Sequence, residues 1–243
     1  MIDVAICIQI RDGNSRLPGK GSKKLQGRAV YQHLIKNVMK CAGFINSHSD
    51  KKNMTASVYF LVPHDEKEYW ESCVKFAKAN IIVFPGEPDK NMDVLERYKK
   101  VFAIEKPDWI VRLTGDCPFI PSALINKAVN CAVNHRLDYV SNVDERFRTM
   151  PDGFDVEVIS DKCFLWLSQQ SVSDSDKEHV TTHIRKNTQH WMRMAVITGV
   201  FDTSDYKYSI DTQEDFDEVD YRFGSKLRKD KAAKAAGYGV YEF

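Results

Sequence analysis

The stretch Val4-Ala-Ile-Cys-Ile-Gln-Ile-Arg-Asp-Gly-Asn-Ser-Arg-Leu-Pro-Gly-Lys20 decides the fold. Its opening residues are nearly all apolar and rich in β-branched side chains, the composition of a buried strand in a parallel sheet. The chain then turns into glycines and the basic residues Arg11, Arg16, Lys20 and Lys23. A loop of this kind builds an anion cradle at the carboxyl edge of a sheet, where open α/β folds place their ligands. The simplest such anion is a nucleoside triphosphate.

Two familiar phosphate loops do not fit. Five residues rather than four separate Gly13 from Gly19-Lys20, and Gly21 stands where a P-loop needs Ser or Thr. Pro18 would also disturb a loop of backbone amides, and no G-x-G-x-x-G dinucleotide fingerprint follows the strand. Phosphates would instead be met by side chains, Arg11 and Arg16 as forked donors and Lys20 as a mobile point charge. The competing reading is a solvated basic loop.

Outward from this loop, Val30, Leu34, Val38 and Cys41 recur at helical spacing and predict a helix over 29–41. Strands are predicted at 58–62, 81–84 and 109–113, helices at 65–77 and 92–104, and a further helix from 121 or 122 to about 135. Residues 43–55 are polar and read as a surface excursion. Strand–helix alternation with short loops predicts an α/β fold with a doubly wound, mostly parallel sheet and helices on both faces. The second half is less regular, with strands expected at 139–142, 155–159, 192–197 and 206–210 and helices at 163–170 and 175–186. Thr212, with Asp215 three residues on, reads as a helix cap. A Lys- and Ala-rich helix over 225–236 and an aromatic segment at 238–243 form the tail. Without repeats or linkers, residues 1–243 are expected to form one domain.

The 243 residues carry a formal net charge of +1, which exerts no global pull on nucleic acid or an anionic membrane. A basic site must then be local, as suits a small anionic ligand. No apolar run approaches the roughly 18–20 residues that cross a bilayer. No secretory or lipidation signal is read ahead of the first strand, so the expected location is the cytoplasm. The six cysteines include no C-x-x-C pair and are expected as reduced thiols. Cys117 reads as a small packing residue beside Asp116.

Asp116 and Asp211 each follow a predicted strand, so both are placed to face one cleft. Two carboxylates beside bound phosphates suit Mg2+. Taken singly, Asp116 reads equally as a turn residue and Asp211 as part of a helix start. Asn142, Arg146, Arg148, Asp152, Asp155 and Glu157 form a second polar group around a Pro-Asp-Gly turn. There Arg146 and Arg148 are either a clamp for a carboxylate or phosphate, or solvated loop residues. His179 and His183 lack the H-E-x-x-H order and a third ligand for zinc.

An ordered set of motifs carries a resemblance. Arg-x-Gly-x-x-Arg-Leu-Pro-Gly-Lys after the first strand, Arg112-Leu-Thr-Gly-Asp-Cys-Pro118, Ser141-Asn142, Pro151-Asp-Gly-Phe-Asp-Val-Glu157, Glu178-His-Val-Thr181 and Ser209-Ile-Asp-Thr-Gln-Glu-Asp215 occur in that order. The chain resembles the cytidylyltransferases of spore-coat polysaccharide synthesis and, more distantly, the enzymes that make CMP-sialic acid and CMP-3-deoxy-octulosonate. The likeness runs from the first strand to about residue 220. It implies a nucleotide-diphosphosugar-transferase (GT-A-like) fold, CTP as co-substrate, Mg2+ as cofactor and a homodimer.

By position, the resemblance implies Arg11, Gly13, Arg16, Lys20, Asp93, Thr114 and Asp116 for the nucleotide, with Arg16 and Lys20 on the departing pyrophosphate. It implies Asp116 and Asp211 for the metal. Asn142, Arg148, Asp152, Asp155, Glu157, Glu178 and His179 are implied for the acceptor, in an acceptor and dimerisation region over 139–195. Asn14 stands where Ser is frequent and Met150 where an aromatic usually precedes Pro151. The second departure bears on acceptor identity.

The chemistry implied is in-line attack of an acceptor oxygen on the α-phosphorus, with positioning and charge neutralisation dominant. The acceptor is either a keto-deoxy sugar acid or a phosphorylated small molecule. Another nucleoside triphosphate, a glycosyltransferase of similar architecture and a non-catalytic nucleotide binder are the alternatives. The glycosyltransferase reading is disfavoured because Gly-Asp-Cys-Pro stands where an Asp-x-Asp motif is usual.

Overall fold

The computed structural model describes residues 1–13, 15–48, 53–88, 90 and 92–228. Strand β1 (Ile2–Gln9) leads through the basic loop and a small hairpin, β2 (Lys24–Leu25) and β3 (Arg28–Ala29), into α1 (Val30–Ser47). The alternation continues with β4 (Met54–Val62), α2 (Lys67–Phe76), β5 (Ile82–Pro85) and α3 (Val94–Glu105). Next come β6 (Trp109–Thr114), α4 (Ser122–His135), β7 (Tyr139–Ser141) and β8 (Glu157–Ser160). The rest comprises α5 (Asp161–Ser168), α6 (Asp174–His179), α7 (Thr182–Lys186), β9 (Met194–Val196) and α8 (Gln213–Arg228).

The main sheet has seven strands in the order β5-β4-β1-β6-β8-β7-β9. β1 pairs in parallel with β4 and β6, which gathers three carboxyl ends at one edge. β8 runs antiparallel to both its neighbours, with Glu157 opposite Arg112 of β6. Its amino end therefore meets the carboxyl end of β6, and the residues before it arrive at the ligand edge.

Successive β1 side chains go to opposite faces, as the strand repeat requires. Val4, Ile6 and Ile8 join α1, α2 and α4 in one core cluster. Ala5 and Cys7 join α3, α5 and α7 in the other. Each fully buried Leu, Ile or Phe contributes about 1.5–3 kcal/mol, so both layers clamp the central strands and hold their ends rigid. The six cysteines are unpaired. Among the described residues no helix is long and apolar enough to cross a membrane.

Three elements differ from expectation. α1 continues to Ser47 instead of ending near residue 41 and absorbs the start of the expected excursion. Gly43 does not stop it because Ile45 is buried and the Asn46 amide bridges Ala56 of β4, accepting at 2.7 Å and donating at 2.9 Å. The helix expected over 175–186 is two short helices, interrupted at Val180 with φ 57°. Full burial of Val180 and Thr181 overrides local propensity there.

Residues 206–210 form no strand. They run between two turns: Tyr208 N–H donates to the Asp152 carbonyl (2.7 Å) and Ile210 N–H to the Asp116 carbonyl (2.9 Å). From residue 229 on, the expected Lys- and Ala-rich helix and the aromatic tail lie outside the described residues, as do Asn14 and residues 49–52.

Candidate active site

At the carboxyl edge of β1 and β6 the loops surround a cleft of about 420 Å³. Lys20 lines it as a buried cation, only 7% exposed. The Lys20 ammonium donates to the Ile210 carbonyl (3.0 Å) and to Asp116 Oδ2 (3.3 Å), and lies 3.5 Å from Asp211 Oδ1. Arg16 donates to the same Asp211 oxygen at 3.2 Å. Two carboxylates far apart in sequence thus share one cationic position.

Local structure aims both of them. A Cβ on Gly115 would lie 2.5 Å from Ile10 Cγ1, so glycine lets the turn after β6 press against β1 and present Asp116. Asp211 enters α8 through a reciprocal cap: Thr212 Oγ1 accepts from Asp215 N–H (3.2 Å), and Asp215 Oδ2 accepts from the N–H groups of Asp211 and Thr212 (both 3.0 Å). Burial would push the Asp116 carboxyl up, but the Lys20 ammonium and the Thr114 hydroxyl overcome it and hold the group below its ordinary range.

The basic loop is stapled from behind. Glu66, just ahead of α2, accepts from the N–H groups of Asp12 (2.7 Å) and Gly13 (2.9 Å) and from the Trp70 indole (2.8 Å). Asp12 in turn accepts from Gly21 N–H and Ser22 Oγ, both at 3.0 Å, closing the loop on itself.

Glu157, 1% exposed, also lines the cleft and accepts from Arg112, Arg185 (2.7 Å) and the Tyr139 hydroxyl. Burial would raise its pKa; the two guanidinium groups outweigh that and keep it ionised. Asp152 accepts from Ser209 Oγ at 2.6 Å, and Asp155 from Arg148. Gly153 makes this apposition possible, with φ +95° and a Cβ position 2.3 Å from Ser209 N. Asp155 is pushed up to about 6 by burial and by its neighbours Asp152 and Glu157, against the pull of Arg148. Arg11 pairs with Glu178 at 3.4 Å, and His179 also lines the cleft.

These features match a known family. The sequence profile described as Cytidylyltransferase matches residues 5–236. The chain belongs to the cytidylyltransferase family. It is therefore an enzyme, a CTP-using nucleotidyltransferase. It is similar to the spore coat polysaccharide biosynthesis protein SpsF of Bacillus subtilis, 28% identical over 221 residues that cover 90% of this chain and 85% of that protein. Its fold is that of a cytidylyltransferase from Leptospira borgpetersenii, with a TM-score of 0.78 and 22% identity over all of both chains. A CMP:2-keto-3-deoxy-manno-octonic acid synthetase complexed with CTP also shares the fold (TM-score 0.66, 15% identity), covering 93% of this chain and 100% of that one.

In this cytidylyltransferase the cleft gathers Arg11, Arg16, Lys20, Thr114, Asp116 and Asp211 from the expected nucleotide and metal set. It also gathers Arg148, Asp152, Asp155, Glu157, Glu178 and His179 from the expected acceptor set. Three expected residues are turned elsewhere. Gly13 is held by Glu66 behind the loop. Asp93 caps α3, accepting from Glu96 N–H at 2.9 Å. Asn142 is 1% exposed and spends its amide on Phe154 O (2.8 Å) and Val156 N–H (2.9 Å), pinning the polar turn to β7.

Of the two readings left open for Arg146 and Arg148, the paired clamp is not formed. Arg146 sits on Asp144 at the surface, and Arg148 is committed to Met150 O, Pro151 O and Asp155. His183 faces Asp176 at 3.8 Å, and among the described residues no group of three metal-ligating side chains occurs. Cys117 is buried, and burial with the nearby Asp116 and Asp155 charges pushes its thiol up, which leaves it a packing residue.

Arg112, Arg185 and Glu66 carry no role in the sequence reading. Arg112 is detectable there as a lone charge in the apolar strand Trp109–Thr114. The Glu66 and Arg185 contacts, across 53 and 28 residues, leave no local signature.

Proposed function

We propose that this cleft transfers CMP from CTP to a small acidic acceptor, with Mg2+ as cofactor and release of pyrophosphate. The observation that carries the reading is the convergence of Asp116 and Asp211 on one ammonium, at 3.3 and 3.5 Å. Two carboxylates completed by phosphate oxygens and water are the donor set Mg2+ takes, so the residues present fit the ion, with Asp116 and Asp211 as its protein ligands. When bound, Mg2+ neutralises phosphate charge at this end of the cleft.

The chain's own residues do the remainder. Arg11, Arg16 and Lys20 neutralise and orient the triphosphate. Attack by an acceptor oxygen forms a new bond to the α-phosphorus as its bond to the bridging oxygen breaks, and Arg16 and Lys20 stabilise the pyrophosphate that leaves. On the acceptor side, the guanidinium groups of Arg112 and Arg185, which line the cleft around Glu157, would meet an acceptor carboxylate. Asp152 and Asp155 are acceptors for hydroxyl groups. Of the two acceptor classes, a keto-deoxy sugar acid fits this chemistry. Its CMP-linked product would serve surface polysaccharide synthesis, with the enzyme cytoplasmic and homodimeric.

The test is a matrix of nucleoside triphosphates against sugar acids and phosphorylated metabolites, read by pyrophosphate release. CTP with a sugar acid is expected to turn over only with Mg2+. Asp116→Asn and Asp211→Asn are each expected to lose at least about a hundredfold in kcat. Full turnover by both variants would refute the metal assignment.

A further inference from the structure

The Lys20 ammonium lies within 3.5 Å of both Asp116 and Asp211 and neutralises the two together. Its side chain is 9% exposed, and its third partner is the Ile210 carbonyl. Two carboxylates held this close repel one another unless a positive charge lies between them. Here that charge is supplied by the chain itself, as the Lys20 ammonium.

We propose that Lys20 keeps the aspartate pair closed to divalent metal until a triphosphate arrives, so that metal and nucleotide bind as a coupled pair. The inference rests on the reading of Asp116 and Asp211 as the metal carboxylates. An ion entering alone would leave a poorly hydrated ammonium beside a divalent charge, with its anionic partners taken. A triphosphate removes that penalty, because its oxygens offer the ammonium new partners at the same edge of the cleft. Lysine suits the exchange: a compact charge on a flexible stem can move between partners, whereas a planar guanidinium is bound to one geometry. Arg16, whose side chain is 64% exposed, shares the Asp211 oxygen and stands outside the exchange point. By linkage, the metal must then tighten nucleotide binding by the same factor as the nucleotide tightens metal binding.

The probe is Mn2+, titrated into nucleotide-free protein and read as loss of the free-ion paramagnetic resonance signal. Wild type, Lys20→Met and the double variant Lys20→Met/Asp116→Asn are compared after thermal melts establish that each is folded. Lys20→Met is expected to bind Mn2+ about tenfold or more tightly than wild type, within the usual range of coupling between sites. That gain should vanish in the double variant. Equal affinities of wild type and Lys20→Met overturn the gating role and leave the aspartate assignment standing. A gain that survives Asp116→Asn puts the ion elsewhere and overturns both.

Should Lys20→Met not fold, wild-type crystals soaked in Mn2+ with and without CTP decide the matter. The expected anomalous peak between the two aspartates appears only with CTP, and the Lys20 ammonium has then left them. A peak without CTP, with the ammonium still touching both carboxylates, overturns the proposal.

Discussion

Glu66 accepts a hydrogen bond from the backbone N–H of Gly13 at 2.9 Å, and with its other oxygen one from Asp12 at 2.7 Å. A carboxylate from the segment after β4 thereby fixes the backbone from which Arg11, Arg16 and Lys20 project. Hydrogen bonds to a charged group are worth about 1.5–3 kcal/mol at most where solvent screens them, and of these two the half-buried bond from Asp12 holds the loop more than the exposed one from Gly13.

Glu66→Ala is therefore expected to raise KM for CTP about tenfold, because an unstapled loop must be ordered by the ligand. Glu66→Gln keeps one acceptor oxygen and should fall between the two. Steady-state kinetics with CTP varied measures this. An unchanged KM in a folded Glu66→Ala protein would mean that the loop holds its shape without the staple.

Asp155 gives a pH signature. Its folded-state value, raised to about 6, exceeds the ordinary carboxylate value, so the native state holds this proton more tightly than the unfolded chain. Between about pH 4 and 6 the unfolded state has already ionised while the native state has not, and stability falls as pH rises through that window. Asp155→Asn does not titrate. The melting temperature of wild type minus that of Asp155→Asn is expected to decrease from pH 4 to pH 7 and then level off. A difference that stays flat across this range would remove the case for a proton held at Asp155.

Asn142 separates a structural from a ligand-binding role. Asn142→Ala removes the buried bonds to the Phe154 carbonyl and the Val156 N–H, at a cost of about 1–3 kcal/mol. Thermal denaturation should register the loss, while KM for CTP stays near the wild-type value. A stable variant with a strongly raised KM would return Asn142 to the binding site.

Much of the architecture was legible because it rests on local pattern. The apolar run from Val4 to Ile10, the helical spacing of Val30, Leu34 and Val38, and the Thr212–Asp215 cap are all short-range signals, and each has its counterpart in the structure. The misread elements are those that tertiary contact decides. α1 passes Gly43 because Asn46 binds β4, and the 175–186 helix breaks where Val180 is drawn into the core. Among the site residues, motif order assigned Asn142 and Asp93 to ligands, yet their short polar side chains serve neighbouring backbone. The same chemistry suits either use, and only placement separates them.

By itself, then, the sequence determined an α/β sheet whose first strand opens into a cationic loop, together with the family to which that loop belongs. Hydrophobic periodicity and ordered motifs are written along the chain, where neighbours in sequence are neighbours in space. The tertiary structure decided which charges meet: Lys20 between Asp116 and Asp211, Glu66 behind Gly13, and Glu157 between Arg112 and Arg185. Those contacts join residues from distant segments, and their geometry follows from strand order and from the reversed direction of β8, which no local pattern encodes.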